Sequence, residues 1–274
     1  GHLAETDQKT GDIPDDGTIY VNHLGRADYI DLLKKTIVGP NHPEEVVLMD
    51  VNAHEQKTSV DFYITQNLIG TPVVSLEELI EQNGKLYYEN RGSYKPIKRI
   101  YNRLIFDEIE GDPDIFSKVV DIRKPLDVEW IAHPHWFYRI SKFTMPFLEG
   151  DFVPKTVFLH ELDSIPAGLD KYVLKPLFSF AGQGVIIDVK KEDIDNISDP
   201  ENWILQEKVN YEPVLQAPDD GVKIEIRLLY LWPDGDDKPT LAINLARLSR
   251  GKMIGVRYNK DFDWVGGTVA FMRK

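Results

Sequence analysis

The stretch Tyr172-Val-Leu-Lys-Pro-Leu-Phe-Ser-Phe-Ala-Gly-Gln-Gly-Val185 restricts the fold more than any other part of the sequence. An apolar segment of strand length delivers Lys175, and a loop containing Ser179, Gly182 and Gly184 follows before a second apolar segment. Glycines let backbone N–H groups approach phosphate oxygens closely, and a lysine adds positive charge for the same oxygens. The stretch is neither a Walker A loop nor a dinucleotide fingerprint, because no Gly-Lys-Ser/Thr opens a helix. An ordinary glycine turn between two strands is the alternative interpretation.

The next informative segment is Trp203-Ile-Leu-Gln-Glu-Lys-Val209. Its alternating apolar positions predict a strand that ends at the polar residues Gln206 and Glu207. Such a strand end can offer an adenine base the backbone groups of Lys208 and Val209, together with one side-chain acceptor. The alternative is a plain strand end.

The segment Lys223-Ile-Glu-Ile-Arg227 alternates with period two, which places its three charged residues on one face of a strand. Arg227 on that face can bind phosphate or carboxylate with two parallel hydrogen bonds. Glu225 on that face can hold ribose hydroxyls or a cation, and Glu212 upstream is the other candidate for the ribose. The alternative is a solvated charged face without a ligand.

A basic cluster in an otherwise acidic chain follows near the carboxyl end. Four basic residues fall within eleven positions, and glycine-containing segments surround them; they are Arg247, Arg250, Lys252 and Arg257. A local reversal of charge of this kind is typical of an anion site, although hairpin turns also collect Arg, Lys and Gly.

The amino-terminal half alternates between strand and helix patterns. The strands are expected near 18–21, 45–51, 72–74, 85–88 and 98–104, and the helices near 26–38, 60–69 and 75–82, the last opened by the capping box Ser75-Leu-Glu-Glu78. This alternation predicts a three-layer α/β domain with a mainly parallel sheet.

The carboxyl-terminal half has a different character. A proline-rich connector around a helix near 138–148 leads into strands expected at 156–161, 171–176, 184–189, 203–209, 222–232, 239–248 and 253–258. The turn at 233–238 predicts that two of the longest strands form a hairpin. We therefore expect a mobile polar arm at 1–17, an α/β domain at 18–139 and an α+β domain at 140–274, with subdomains of about 140–205 and 206–274.

Composition excludes several functional classes. The chain has 274 residues, 32 Lys and Arg against 45 Asp and Glu, a formal net charge of −13 and no cysteine. The absence of cysteine excludes disulfide scaffolds and thiol catalysis, and the acidic balance argues against nucleic-acid binding. No apolar run approaches the length of a membrane span, and no signal peptide is present, so we expect a cytoplasmic location. The first residues are Gly-His without methionine, which a tag remnant and a trimmed end both explain, so the completeness of the amino terminus stays open.

Taken in order, these segments resemble the ATP-grasp superfamily of carboxylate–amine ligases over about 140–270. The entry segment carries Ser141-Lys142, Pro146-Phe-Leu148 and Val153-Pro-Lys-Thr156. The closer likeness is to the synthetase domain of the glutathionylspermidine synthase family, a circularly permuted branch. It rests on the strand at 97–104 and on the segment 129–136 that precedes Ser141-Lys142. The resemblance implies a Rossmann-like pre-ATP-grasp domain followed by an ATP-grasp domain of two α+β subdomains.

The resemblance also implies an activity and its residues. ATP and Mg²⁺ would be the cofactors, and the substrates would be an acid and an amine or thiol, such as an amino acid, peptide or polyamine. Lys142 and Lys175 would contact the phosphates under the 179–184 loop. The residues 206–209 would frame the adenine, and Arg227, Arg247 and Arg257 would stabilise the transferred phosphoryl group or an acyl phosphate.

Two departures from the family pattern accompany this resemblance. Phe180-Ala-Gly182 stands where the family often has Arg-Glu-Gly, and the Glu-x-Asn pair that binds Mg²⁺ is not found between 227 and 274. Asp50-Val-Asn52 has a similar form, but we expect it to end a strand of the first domain. The origin of the metal ligands and the oligomeric state stay open. The alternative function is therefore a nucleotide-binding module that does not turn over.

Overall fold

A computed structural model of the chain describes residues 17–104, 109, 114–133, 136–179, 182–255 and 258–273. Residues 1–16 of the arm expected at 1–17, and the predicted site residue Arg257, lie outside the described residues, whereas Gly17 begins the first strand. Within the described ranges, no helix combines the length and the apolar character that crossing a bilayer requires.

Short strands and a few helices make up the described chain. The strands are β1 (Gly17–Thr18), β2 (Val46–Asp50), β3 (Val73–Ser75), β4 (Ile80–Gln82), β5 (Lys85–Asn90), β6 (Ser93–Ile97), β7 (Arg99–Asn102), β8 (Glu129–Ile131), β9 (Thr156–Phe158), β10 (Tyr172–Pro176), β11 (Trp203–Glu207), β12 (Pro213–Gln216), β13 (Gly221–Leu231), β14 (Thr240–Ser249), β15 (Gly266–Thr268) and β16 (Met272–Arg273). The α-helices are α1 (Arg26–Ile37), α2 (Ser59–Ile69), α3 (Ile115–Lys118), α4 (Trp136–Arg139) and α5 (Lys191–Asp195).

The chain packs as two compact units. Unit 1 contains residues 1–134, 226–247 and 267–274, and unit 2 contains 135–225 and 248–266. The chain first leaves unit 1 close to the boundary expected at 139, but it returns at 226–247, which the expected domain of 140–274 did not include. The reason is hydrogen bonding: Asn244 donates to the carbonyls of Ile19 and Ala270, and Val21 N–H donates to Ala242.

A parallel sheet with the strand order β3-β2-β7-β8 forms the centre of unit 1. The sequence predicted parallel strands here. Its central strand β2 is buried at all five positions, as expected for a strand with both faces covered. Val46 and Leu48 pack on the side of the helices α1 and α2, whereas Val47 and Met49 pack in the opposite core.

The layer opposite the helices is a second sheet rather than a helical layer. It has the order β4-β5-β6 and is antiparallel, and it contributes Leu86, Tyr88 and Ile97 to the core that contains Val47 and Met49. The predicted three-layer arrangement is therefore helix, parallel sheet and antiparallel sheet.

The helix predicted at 75–82 is wrong. Only the single 3₁₀ turn Leu76–Glu78 forms, and Ile80–Gln82 then pairs as β4 with β5. Half of the capping box is present, because Ser75 N–H donates to Glu78 Oε2 at 2.6 Å, but the Ser75 hydroxyl accepts the Ala53 N–H instead. Gly84, with φ of 79°, makes the tight turn into β5.

Unit 2 is built around the antiparallel sheet β10-β11-β9. Leu174 and Leu205 pack in one core with Leu159 and Val189, while Ile204 packs with Phe158 and Leu177 in another. The strand predicted at 184–189 reduces to one bridge between Leu174 and Ile186.

Two other predicted elements in this half differ from the structure. The helix expected near 138–148 is divided into α4 and the 3₁₀ helix Lys142–Phe147, which contains Pro146. Proline lacks the N–H that an α-helix needs. The described residues of the strand expected at 253–258 form no strand. The predicted hairpin strands are neighbours as β13 and β14 in the sheet β12-β13-β14-β15.

Candidate functional site

Lys175 lies on β10 and is half-buried in unit 2. Its ammonium donates to Oε1 of Gln206 on β11 at 2.5 Å, across a register that pairs Val173 with Gln206. Burial lowers the pKa of Lys175 below its ordinary value, and no carboxylate among the described residues compensates the charge. A partly buried ammonium that donates to a neutral acceptor is strongly stabilised when an anion binds to it.

Gln206 is the residue that orients this lysine. It is buried, and its Nε2 donates to Thr156 Oγ1 at 2.9 Å on β9. The same nitrogen lies 3.6 Å from Met145 Sδ in the 3₁₀ helix that begins at Lys142. Because the amide nitrogen is engaged, Oε1 faces Lys175 and the amide is fixed in one orientation.

Lys142 connects this 3₁₀ helix to the glycine loop. Its ammonium donates to the Ser179 carbonyl at 2.6 Å and to the Ser179 hydroxyl at 2.9 Å. The helix itself begins at Ser141, whose Oγ accepts the N–H of Phe143. The structure thus links Lys142 to Ser179, and Lys175 to Gln206, and the 3₁₀ helix that begins at Lys142 connects the two pairs through Met145.

The described part of the loop requires glycine at two predicted positions. Gly182 has φ of 79° and Gly184 has φ of 70°, in the left-handed region. A Cβ at Gly182 would lie 2.8 Å from Met253 Cε, and one at Gly184 would lie 2.9 Å from Pro176 Cγ. The backbone conformation disfavours larger residues at both positions, and Gly184 is also restricted by the Pro176 ring, whereas Met253 Cε ends a flexible side chain. Residues 180 and 181 lie outside the described chain.

Some of the backbone groups that were predicted to bind adenine are already hydrogen-bonded within the protein. The N–H groups of Glu207 and Lys208 donate to the carbonyls of Lys155 and Lys171 at 2.8 Å each. The Lys208 amide is therefore engaged, which leaves its carbonyl and the exposed Val209 for a base. Glu212, the predicted ribose ligand, is exposed in the segment between β11 and β12.

Two members of the predicted basic cluster are held by carboxylates in unit 2. Lys252 contacts Asp188 at 2.9 Å, and Lys208 approaches the same carboxylate at 3.6 Å. The hydrogen bond from Lys252 holds the pKa of Asp188 below its usual value. Arg250 pairs with Asp219 at 2.8 Å and lies over Phe262, so it serves packing. No local pattern in the sequence identified Asp188 as the carboxylate that Lys252 and Lys208 share.

Asn259 organises the segment that carries these bases, and the sequence analysis did not identify it. Its Oδ1 accepts from the N–H groups of Arg250 and Gly251, and its Nδ2 donates to the carbonyls of Met253 and Gly255. The side chain is buried. These bonds fix the segment that places Met253 against Gly182.

The predicted catalytic arginines belong to unit 1. This holds for the two that are described, Arg227 on β13 and Arg247 on β14, whereas Arg257 lies outside the described residues. Glu225 is the last residue of β13 that belongs to unit 2.

The described residues contain no preassembled cluster of metal ligands. No group of three His, Asp or Glu side chains in the described ranges is arranged to hold a metal ion. Asp50, at the end of β2 as predicted, is buried, and its Oδ1 accepts the N–H of Val51. The Asn52 N–H donates to Glu77, so the segment 50–52 serves the turn after β2.

A cavity of about 970 Å³ in unit 1 was not predicted. It contains a chain of polar groups: Glu78 Oε2 lies 2.9 Å from His54 Nε2, and His54 Nδ1 lies 2.8 Å from the Tyr63 hydroxyl. Burial opposes ionisation of Glu78, but hydrogen bonds from the Ser75 N–H and from His54 outweigh it and lower the pKa. The cavity therefore contains an ionised carboxylate that orients a histidine.

The chain matches no protein-family model, and no curated protein gives a significant match.

Proposed function

We propose that the chain is an ATP-dependent ligase of the ATP-grasp type that joins a carboxylate to an amine or thiol. The observation that carries the proposal is the half-buried ammonium of Lys175, which only the neutral Gln206 Oε1 accepts among the described residues. A phosphate oxygen would replace that neutral acceptor with a charged one, and charge-assisted hydrogen bonds are about twice as strong.

The glycine loop and Lys142 support the same assignment. Lys142 already contacts the loop through Ser179, so its ammonium lies beside the backbone that would cover the phosphates. Gly182 and Gly184 allow that backbone to approach closely. Gln206 to Val209 would border the adenine, and Glu212 or Glu225 would bind the ribose.

The proposed reaction has two steps, and neither changes an oxidation state. A carboxylate oxygen of the acid attacks the γ-phosphorus of ATP, the bond to the β–γ bridging oxygen breaks, and ADP leaves. The amine or thiol then attacks the acyl carbon, phosphate leaves, and the nucleophile loses a proton. Positioning and charge stabilisation are the main contributions of a protein to such steps. Arg227, Arg247 and Arg257 are the proposed stabilising groups.

Mg²⁺ enters no step of this proposal. Because no group of three His, Asp or Glu side chains among the described residues is arranged to hold a metal ion, the ion would be held by one or two protein side chains together with the ATP phosphates. This point also motivates the second candidate, a nucleotide-binding module without turnover.

Isotope transfer tests the ligase proposal. The full chain is incubated with ATP, Mg²⁺ and a panel of amines with acids carrying ¹⁸O in the carboxylate, and the released phosphate is analysed by mass spectrometry. A ligase that forms an acyl phosphate transfers one ¹⁸O to phosphate, and it produces more than one equivalent of ADP per chain only when acid and nucleophile are both present.

The outcomes separate the two candidates. ATP binding without ADP formation across the panel supports the nucleotide-binding module and contradicts the ligase. ADP formation with unlabelled phosphate indicates simple hydrolysis and also contradicts the ligase. Failure to bind ATP overturns both candidates.

A further inference from the structure

The cavity in unit 1 brings together a hydroxyl, an imidazole and a carboxylate from three segments. All its lining residues lie between positions 44 and 95, so its walls belong to one compact unit. His54 follows the strand β2, Glu78 ends the 3₁₀ turn after the parallel neighbour β3, and Tyr63 lies on α2. The cavity therefore reaches the carboxyl ends of two parallel strands, where open α/β sheets bind their ligands.

The hydrogen bonds among these three side chains have one direction. Burial opposes ionisation of Glu78, but the bonds from the Ser75 N–H and from His54 outweigh it and lower the pKa, so the carboxylate only accepts. His54 Nε2 therefore donates to Glu78 at 2.9 Å. In the neutral imidazole Nδ1 is then the acceptor, and the Tyr63 hydroxyl donates to it at 2.8 Å. The imidazole is thus placed to take the proton of Tyr63.

Two further hydrogen bonds fix the segment that carries His54. The N–H of Asn52 donates to Glu77 at 3.1 Å, and the N–H of the fully buried Ala53 donates to Ser75 Oγ at 3.0 Å. Both acceptors lie at the end of β3 and in the turn that follows it. The imidazole therefore has a defined position before any ligand enters the cavity, as a catalytic base requires.

Gln66 supplies a hydrogen-bond donor beside the tyrosine. It lies three residues after Tyr63 on α2, so the two side chains share a helix face, and both line the cavity. Its Oε1 accepts the N–H of Val73 at 3.4 Å, and its Nε2 has no acceptor among the described residues. An amide N–H next to a nucleophile is the type of donor that stabilises the oxyanion of acyl transfer.

We propose that this cavity is a second reactive site, at which Tyr63 accepts the acyl group of a carboxylic ester that has a good leaving group. A nucleophile within hydrogen-bond reach of a base, with the base oriented by a third group, is the arrangement that covalent catalysis uses. Tyr63 is the nucleophile, His54 is its general base, and Gln66 donates to the oxyanion. Glu78 is a positioning residue, because it acts through His54.

The acyl transfer is balanced in atoms and charge. The Tyr63 oxygen bonds to the acyl carbon while its proton passes to His54 Nδ1. The bond between the acyl carbon and the leaving-group oxygen then breaks, and that oxygen takes the proton from His54. Water attacks the tyrosyl ester with the same base and restores the phenol, so the net reaction is ester hydrolysis without a change of oxidation state.

Acetylation of the full chain by p-nitrophenyl acetate tests the proposal. Samples are quenched with acid at early times, and peptide mass spectrometry gives the initial rate at each tyrosine. Tyr94 is the internal control: it lies in the same unit and is 63% exposed, against 41% for Tyr63, and its side chain has no hydrogen-bond partner among the described residues. Accessibility alone makes Tyr94 the faster site, whereas the proposal predicts that Tyr63 reacts faster by about tenfold or more.

Variants assign the roles through the ratio of the Tyr63 rate to the Tyr94 rate. His54→Gln is expected to remove the advantage of Tyr63, and Glu78→Gln to reduce it, while the Tyr94 rate stays constant. His160→Gln is the matched control, because His160 is a similarly exposed histidine in unit 2, and it should leave the ratio unchanged. Urea denaturation of each variant confirms that it is folded.

Two further measurements address the oxyanion donor and the release step. Gln66→Met is expected to slow acetylation of Tyr63 by about tenfold or more without changing Tyr94. After the ester is removed from the wild type, Tyr63 is expected to lose its acetyl group faster than Tyr94 does.

The wild-type ratio tests the proposal without any variant. Acetylation of Tyr63 that is no faster than that of Tyr94 would overturn the proposal, and so would an unchanged ratio in folded His54→Gln. An unchanged Tyr63 rate in Gln66→Met would remove Gln66 from the site, and equal loss of the two acetyl groups would contradict the hydrolytic step.

Discussion

The Lys142 ammonium donates two hydrogen bonds to Ser179, one to the carbonyl oxygen at 2.6 Å and one to the hydroxyl at 2.9 Å. The lysine is thereby joined to the loop that would cover the phosphates. Lys142→Met removes both bonds and the charge, and is expected to weaken ATP binding by about 10- to 100-fold, since hydrogen bonds to charged groups contribute about 1.5–3 kcal/mol.

Ser179→Ala is the control for that prediction. It removes the hydroxyl but keeps the carbonyl acceptor, so the loss of ATP affinity in calorimetric titration is expected to stay below about tenfold. Equal losses in the two variants would show that Lys142 acts only by holding the loop through the hydroxyl.

The lowered pKa of Lys175 predicts how ATP affinity depends on pH. Binding requires the charged ammonium, so the affinity should fall as the pH rises through a pKa below the usual lysine value of 10.5. Lys175→Met has no such group and should lack this fall. An affinity that stays constant up to the ordinary lysine range contradicts the burial effect.

The lowered pKa of Lys175 also predicts how the stability of the ATP-free protein depends on pH, and the direction is opposite to that of the ATP affinity. Between the folded pKa and 10.5 the unfolded chain binds more protons at this lysine than the folded chain does. The contribution of Lys175 to the free energy of unfolding therefore rises with pH across this window. Comparing urea denaturation of the wild type and Lys175→Met at several pH values isolates the contribution.

Gly182→Ala tests the packing of the glycine loop against Met253. Gly84 is a matched control, because its φ is also 79° but a Cβ there would meet no atom within 4 Å. Gly84→Ala is expected to lower the free energy of unfolding by about 1 kcal/mol from backbone strain alone. Gly182→Ala should cost slightly more, because its Cβ would lie 2.8 Å from Met253 Cε and the end of that flexible side chain must move away.

A double-mutant cycle identifies that extra cost. If the contact is its origin, Gly182→Ala in a Met253→Ala background should cost about as much as Gly84→Ala does. An unchanged cost in that background, measured by urea denaturation, would place the effect elsewhere.

Arg99 is expected to be the most sensitive polar residue of unit 1. Its side chain is 4% exposed, and it bonds to Glu129, to Asp234 and to the Thr36 carbonyl. Arg99→Met should lower the free energy of unfolding by about 3 kcal/mol, because a charged group with three partners is removed. Asp234→Ala should cost about 1 kcal/mol or less, since that carboxylate is largely exposed. Comparable losses in both variants would contradict this ranking.

The sequence predicted the elements whose signal is local. The helices α1 and α2 follow from apolar periodicity, and β2 follows from a continuous apolar run, because burial on one or both faces determines those patterns. The helix expected at 75–82 failed because a capping box indicates where a helix can start but not how far it continues. The turn at Asn83-Gly84 supported a hairpin instead.

Site residues were predictable by type but not by partner. The strand patterns identified Lys175 and Gln206 as candidates, whereas their contact depends on the register of β10 and β11 across 31 residues. Asp188 and Asn259 carry no local signal, because their roles depend on loops that come together only in the folded chain. The return of residues 226–247 to unit 1 has the same origin, in long-range hydrogen bonds of Asn244.

Calorimetric titration of ATP into the full chain and into Lys175→Met tests the central claim most directly. Lys190→Met is the control, because Lys190 is an exposed lysine of the same unit and loses the same charge. We predict ATP binding by the wild type and by Lys190→Met, and at least a tenfold loss of affinity in Lys175→Met. Equal ATP affinity in all three proteins, or no ATP binding by the wild type, would contradict the account.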